Sequence, residues 1–190
     1  PHNPPYYADF FEAFGLVKAV DLIAYEADMG KGYRLPERYL TLTDRVEKRY
    51  GVTVRPVNLQ ALEAEVMTIV ELSNRAISEN WGYYPVTEDE ARAMAGDLKM
   101  IVNPEALLIA EDRAGNPIGF GLSLPDVNVL LKGLNGRLFP FGWLQILKES
   151  KRTNWIDLNG IGIIEDYQRL GGTAILFNEI YKSVMNFDQY

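Results

Sequence analysis

The chain has 190 residues, 47% hydrophobic and 24% charged, with a formal net charge of -7, a single histidine and no cysteine. That length holds one sizeable core, or one domain with an appendage, and the composition is that of a globular protein. The acidic balance argues against nucleic acid or a membrane as the main partner, because both reward clustered Lys and Arg. The missing cysteines exclude disulfides, thiolate metal sites and a thiol nucleophile, and a lone His2 near the start argues against a Ser-His-Asp triad or a histidine-rich metal site, so no metal is expected. There is no membrane-length apolar run of about 18 residues and no signal-peptide pattern, which makes the cytoplasm the expected compartment.

Asn3 is placed to cap a first helix, with prolines at its opening positions and Gly15 as its left-handed stop, and Leu16–Tyr25 reads as a strand. Residues 26–33 are polar and glycine-containing, a linker. Tyr39, Leu42, Val46 and Tyr50 mark a helix over 35–50 that Gly51 ends. Val52–Pro56 is a strand closed by proline, and Leu62, Val66, Ile69, Val70 and Ile77 form the apolar stripe of a long helix. An aromatic loop, Asn80–Pro85, follows. Thr87 and Glu90 make a capping box that opens a helix to about Val102, ended by Asn103-Pro104. Ala106–Ala110 and Ile118–Leu124 are strands joined by a turn at Arg113–Asn116. Pro125–Asn154 has helical periodicity (Val127, Val129, Leu130, Leu131) and an aromatic cluster, Leu138–Trp143. It reads either as a packing appendage or as a lid favouring a hydrophobic or bulky acceptor.

Trp155–Phe187 is the most informative stretch. Ile156, Leu158, Ile161, Ile163 and Ile164 predict a strand ending at the polar pair Glu165-Asp166. Ile175, Leu176, Ile180 and Val184 share one helical face. Between them, Gln168–Thr173 places two glycines where the chain turns and the first helical N–H groups lack partners. Such a terminus favours an anion, because orphan donors and the positive end of the dipole point the same way, and Arg169 adds a cation. Neither dinucleotide nor Walker spacing fits. An ordinary strand-to-helix turn would use the same glycines.

This stretch resembles the pyrophosphate loop of the GNAT acyl-CoA N-acyltransferase superfamily, with Ile163, Gln168, Gly171 and Thr173 on the motif and Glu165 where proline is usual. The order strand, helix, helix, strand, strand, strand, helix from Val52 matches that family. The resemblance implies an α/β (α+β) GNAT-like fold, a mixed central β-sheet flanked by helices on both faces. Residues 34–190 would form the module, from strand 52–56 through helix 172–187, without the usual closing elements. Phe10–Leu16 resembles the tail of such a module, so residues 1–33 read as the end of a preceding one, with Phe11 where the family often has an acidic tyrosine. The chain would then be a piece of a tandem protein. The segment Asn3–Tyr25 is expected to pair with Trp155–Ile164, within the chain or as a swapped homodimer.

The implied reaction is transfer of an acyl group from acetyl-CoA or another acyl-CoA to an amine of a small molecule or peptide. Gly162, Ile163, Ile164, Gln168, Arg169, Leu170, Gly171, Gly172, Thr173 and Ala174 would bind the cofactor. Trp81, Tyr83 and Tyr84 would wall the acceptor, and Glu79, Asp157 and Glu165 are the candidate bases. Two rivals stay open: a catalytically inactive CoA-binding or structural module, and an α/β protein that binds another phosphate at Gly171-Gly172.

Overall fold

The computed structural model describes residues 3–101, 103–126, 128–134, 136–149 and 155–186. The chain divides into two compact units, Pro1–Tyr33 and Arg34–Tyr190. In the first, helix α1 (Tyr7–Ala13) has Tyr6 at its N-cap and no side-chain cap, so the capping expected of Asn3 is not made. The helix starts later because the Tyr7 N–H already bonds to the Pro4 carbonyl at 3.1 Å. Gly15, at φ +92°, gives the expected stop. The strand expected over Leu16–Tyr25 is not formed: residues 16–28 are neither helix nor strand. Within the chain, the described sheet contains four strands, all from the second unit, so the expected ladder with Trp155–Ile164 is not among its pairings. A strand is held by its ladder, and without a partner these β-prone residues have no reason to stay extended in register.

The second unit is an α+β fold. Its sheet has the order β1 (Thr53–Pro56), β2 (Leu107–Glu111), β3 (Pro117–Pro125), β4 (Ile156–Ile163). Every pairing is antiparallel, so over the described strands the sheet is not the mixed one expected. Alternation along β2 sorts the core into two layers. Leu107 and Ile109 face one way, with Phe120, onto α3 (Leu62–Ala76) and α4 (Glu88–Ile101) through Val66, Ile69, Ala91 and Ala95. Leu108 and Ala110 face the other way, with Ile118 and Ile163, onto α2 (Glu37–Tyr50) and α8 (Gly172–Asn186) through Val46, Ile175 and Leu176. Helix α2 is thus more than a surface element: Val46 is fully buried, and the Thr43 hydroxyl donates to the Ala174 carbonyl of α8.

Local signals explain most boundaries. Gly51 ends α2 at φ +67°. Glu90 Oε2 accepts from the Thr87 N–H and hydroxyl, both at 2.8 Å, which completes the capping box at the start of α4. Asp112 accepts from the N–H groups of Ala114 and Asn116 and from the Asn116 amide, closing the β2–β3 turn. The long segment between β3 and β4 holds α5 (Asn128–Leu134) and α6 (Gly142–Glu149), which pack on each other. Val102, Val127, residues 150–154 and Phe187, included in the predicted elements, lie outside the described residues. Among the described residues no helix is long and apolar enough to cross a membrane.

Candidate functional site

Strand β4 is the last in the sheet order, so no described strand occupies its outer edge. Its pairing with β3 shifts between Leu122, opposite Gly160, and Ser123, opposite Leu158. Asn159 is therefore the extra residue of a bulge, which re-aims the backbone groups that follow it. Gly160–Ile163 run on from the bulge to the turn.

The turn is more ordered than its sequence predicts. Glu165–Gln168 form a four-residue helix, α7, whose first turn takes Glu165 and Asp166, where the helix dipole favours carboxylates. The Gln168 side chain donates from Nε2 to the Ile163 carbonyl at 2.9 Å, fastening α7 back onto the end of β4. Its amide N–H is thus committed to the fold. Leu170 closes a further turn on the Tyr167 carbonyl. Gly171 has φ +88°, a left-handed conformation that costs other residues about 1–2 kcal/mol. Gly172 is glycine for a different reason: a side chain there would run into Ile163 Cδ1 and lie 3.2 Å from the Tyr167 carbonyl. The two glycines let α8 start in contact with the strand it follows.

Helix α8 then runs for 15 residues. Ala174 N–H bonds to the Gly171 carbonyl, but among the described residues the N–H groups of Gly171, Gly172 and Thr173 have no backbone acceptor. Arg169 is exposed beside them and makes no ion pair with a described residue. Three N–H donors, a helix dipole and a cation thus fall within five consecutive residues, Arg169–Thr173. An anion of phosphate size has the right chemistry for it.

The acceptor-loop candidates lie at the end of α3. Ala76 packs against Gly162, whose added Cβ would lie 3.2 Å from Ala76 Cβ, and Ile77 and Ile164 share one core layer. The loop after α3 is thereby held at the same end of β4 as the turn. Within it, Tyr83 is an anchor: its hydroxyl bonds to Asn74 Oδ1 at 2.6 Å and to Ser73 Oγ at 3.2 Å. Asn74 also takes the Val86 N–H and gives its amide to the Val86 carbonyl, so one side chain closes the whole loop. Trp81 and Tyr84 are exposed. Tyr84 also walls an open groove of about 380 Å³ with Pro85, Val86, Glu90, Ala93 and Met94. Glu90 is held below its ordinary value by the Thr87 N–H first and then by the Thr87 hydroxyl. The groove therefore offers an apolar wall and one ionised carboxylate.

The candidate bases separate. Glu79 stands on the loop near the end of β4 and Glu165 opens α7; both are exposed. Asp157 pairs opposite Leu124 at the other end of β4, about 20 Å from Ile163 at the rise of an extended strand. Sequence reasoning missed the bulge at Asn159, the helix α7 and Asn74 as the loop's hub. The strand glycines Gly160 and Gly162 were a signal for the first, since glycine inside a strand marks bulges and close backbone approach.

No protein-family model matches the chain. It is 34% identical over 183 residues to Protein YghO of Escherichia coli (strain K12), an alignment covering 93% of this chain and 45% of YghO. It is 36% identical over 153 residues to a bacterial ceramide synthase of Caulobacter vibrioides (strain NA1000 / CB15N), covering 79% of this chain and 38% of that protein. The chain spans less than half the length of the curated relatives it matches.

Proposed function

We propose that the chain is part of an acyltransferase that moves an acyl group from acyl-CoA to an amine, on a GNAT-like module spanning residues 34–190. The observation that carries this is the pairing of a bulged β4 edge, open among the described strands, with a helix start whose Gly171, Gly172 and Thr173 N–H groups lack backbone acceptors among the described residues. The similarity to a ceramide synthase adds the reaction class, since a ceramide is the amide of a fatty acid and a long-chain amino alcohol.

In this reading the pyrophosphate sits on the N–H groups of Gly171–Thr173 beside Arg169, and the amide-bearing arm of CoA pairs along the free edge of β4. A backbone N–H near the bulge polarises the thioester carbonyl. The amine nitrogen attacks the carbonyl carbon, the C–S bond breaks, the thiolate departs as CoA, and the ammonium proton passes to a carboxylate. Glu79 and Glu165 are better placed for that proton than Asp157, being at the same end of β4 as the turn. Gln168 serves by holding the turn rather than by touching the phosphates. The groove at Tyr84 and Glu90 suits an acceptor that is apolar along its length and cationic at its head. The resemblance of Phe10–Leu16 to a module tail belongs to the same proposal; with Phe11 in the acidic position, that segment gives no proton to the thiolate.

The test is incubation with palmitoyl-CoA and a long-chain amino alcohol, following free thiol by colorimetry and amide by mass spectrometry. Thiol release matched by amide is expected. CoA affinity without turnover would support an inactive CoA-binding module instead. Stabilisation by nucleotides but not by CoA would support a protein for another phosphate ligand.

A further inference from the structure

Four glycines stand in the paired strands β3 and β4: Gly119, Gly121, Gly160 and Gly162. Glycine inside a strand weakens it, having no side chain to pack and more backbone freedom to lose, so each calls for a reason. Three have one in the packing. A Cβ on Gly119 would lie 2.8 Å from the Gly162 carbonyl oxygen, one on Gly121 3.0 Å from Ile180 Cδ1 of α8, and one on Gly162 2.6 Å from Phe120 Cε1. Gly160 has none. Among the described residues a Cβ there would meet only Phe120 Cε2 at 3.4 Å and Leu122 Cβ at 4.0 Å, both ordinary van der Waals separations, and its φ lies outside the left-handed region.

A strand glycine otherwise marks a bulge or the close approach of a ligand or another backbone. The bulge in β4 takes Asn159 as its extra residue, not the glycine, which leaves close approach. Gly160 follows that bulge directly, on the strand with no described neighbour at its outer edge. The two faces of β4 differ there. On one, Ile161 and Ile163 pack into the layer shared with α2 and α8 and fill it. On the other, a Cβ at Gly160 would point to Phe120 and Leu122, which belong to the layer under α3. Gly160 and Leu122 are only half-buried, so the α3-facing side presents an accessible apolar wall.

We propose that Gly160 is a specificity-determining residue for the acyl donor: its missing side chain leaves room for an apolar acyl chain to pass from the β4 edge along Phe120 and Leu122 on the α3-facing side. The inference rests on the acyl-CoA reading, in which the thioester lies at the bulge and the amide-bearing arm follows the strand edge. Those contacts use backbone groups alone, so a side chain at position 160 leaves them intact and meets only the acyl chain. The amine arrives on the same side, where the loop after α3 is held by Ala76 against Gly162.

Calorimetric titration of the full chain with CoA and with palmitoyl-CoA, for the parent, Gly160→Ala and Gly160→Leu, tests it. Both variants should bind CoA within about twofold of the parent, whereas Gly160→Leu should bind palmitoyl-CoA at least about tenfold more weakly. In turnover with a long-chain amino alcohol, Gly160→Leu should shift the ratio of kcat/KM for acetyl-CoA over palmitoyl-CoA at least about tenfold toward acetyl-CoA, a ratio that a role confined to folding would not move. Gly160→Ala should melt at or above the parent temperature, because a Cβ fits and the unfolded chain loses freedom, whereas Gly162→Ala should melt lower. A Gly160→Leu variant that weakens CoA and palmitoyl-CoA equally, or neither, would overturn this proposal and leave the acyl-CoA reading standing. A parent that binds neither ligand would overturn both. Gly160→Ala melting well below the parent would overturn the premise that the fold has room for a side chain there.

Discussion

Replacing Gly171 by alanine and by aspartate separates the backbone role of this position from its place beside the anion site. At φ +88°, a Cβ is strained and also comes within 3.3 Å of Val46 Cγ2, a fully buried side chain with little room to move. The left-handed conformation alone costs about 1–2 kcal/mol and the tight contact adds to it, so Gly171→Ala should destabilise by about 2 kcal/mol. For a unit of this size that is a melting shift of about 4–8 °C. Aspartate tolerates the left-handed region better than alanine, so Gly171→Asp should lose no more stability. It should nevertheless lose more ligand, because its carboxylate sits beside the Gly172 and Thr173 N–H groups. Calorimetric titration with CoA should show at least about tenfold weaker binding for Gly171→Asp than for Gly171→Ala. Equal affinities in the two variants would refute the placement of the anion. A stability loss of only a few tenths of a kcal/mol for alanine would refute the strain.

Tyr83→Phe should cost about 1 kcal/mol in chemical denaturation, because the phenol leaves Asn74 and Ser73, while Tyr84→Phe should cost almost nothing. An effect of Tyr83→Phe on acceptor KM without loss of stability would contradict its role as an anchor. Arg55→Ala should cost about 2–4 kcal/mol, since Glu65, a buried residue of α3, loses its partner at 2.9 Å and Glu111 loses the bond to Nε. Arg55→Ala/Glu65→Leu should recover part of it, and a double variant no better than the single would argue against an unpaired buried charge as the cause. Asp112 is held below its ordinary value by the Asn116 side chain first, then by the N–H groups of Asn116 and Ala114. A depressed carboxyl contributes stability that is present above its unfolded pKa and lost as pH falls through the folded one. Asp112→Ala should therefore flatten the acid limb of a stability-pH curve as pH falls through and below the ordinary value of 3.8, and parallel curves for variant and parent would refute this.

Much of the second unit was legible because its signals are local. The capping box at Thr87 and Glu90, the left-handed stop at Gly51 and the alternation of Leu107–Ala110 depend on neighbours in sequence, and each sits where the pattern places it. The strand at Leu16–Tyr25 failed because β-propensity describes fit to a partner surface, and no ladder forms there. The turn was half legible. Its glycines announced a close approach, but which contact requires each one depends on Ile163, nine positions before Gly172, and on Val46 of α2, 125 positions before Gly171, which no spacing reveals. Gln168 illustrates the same limit: its bond to the Ile163 carbonyl follows from the fold of α7, which periodicity over four residues does not encode.

Chemical-shift perturbation of the backbone amides of the isotope-labelled chain on titration with CoA tests the central claim most directly. The largest shifts should fall on Gly171, Gly172 and Thr173, whose N–H groups have no backbone acceptor among the described residues, with smaller ones along the β4 edge from Asn159 to Ile164. Saturating CoA that leaves these amides unmoved, or that moves residues remote from β4 and α8 instead, would contradict the account.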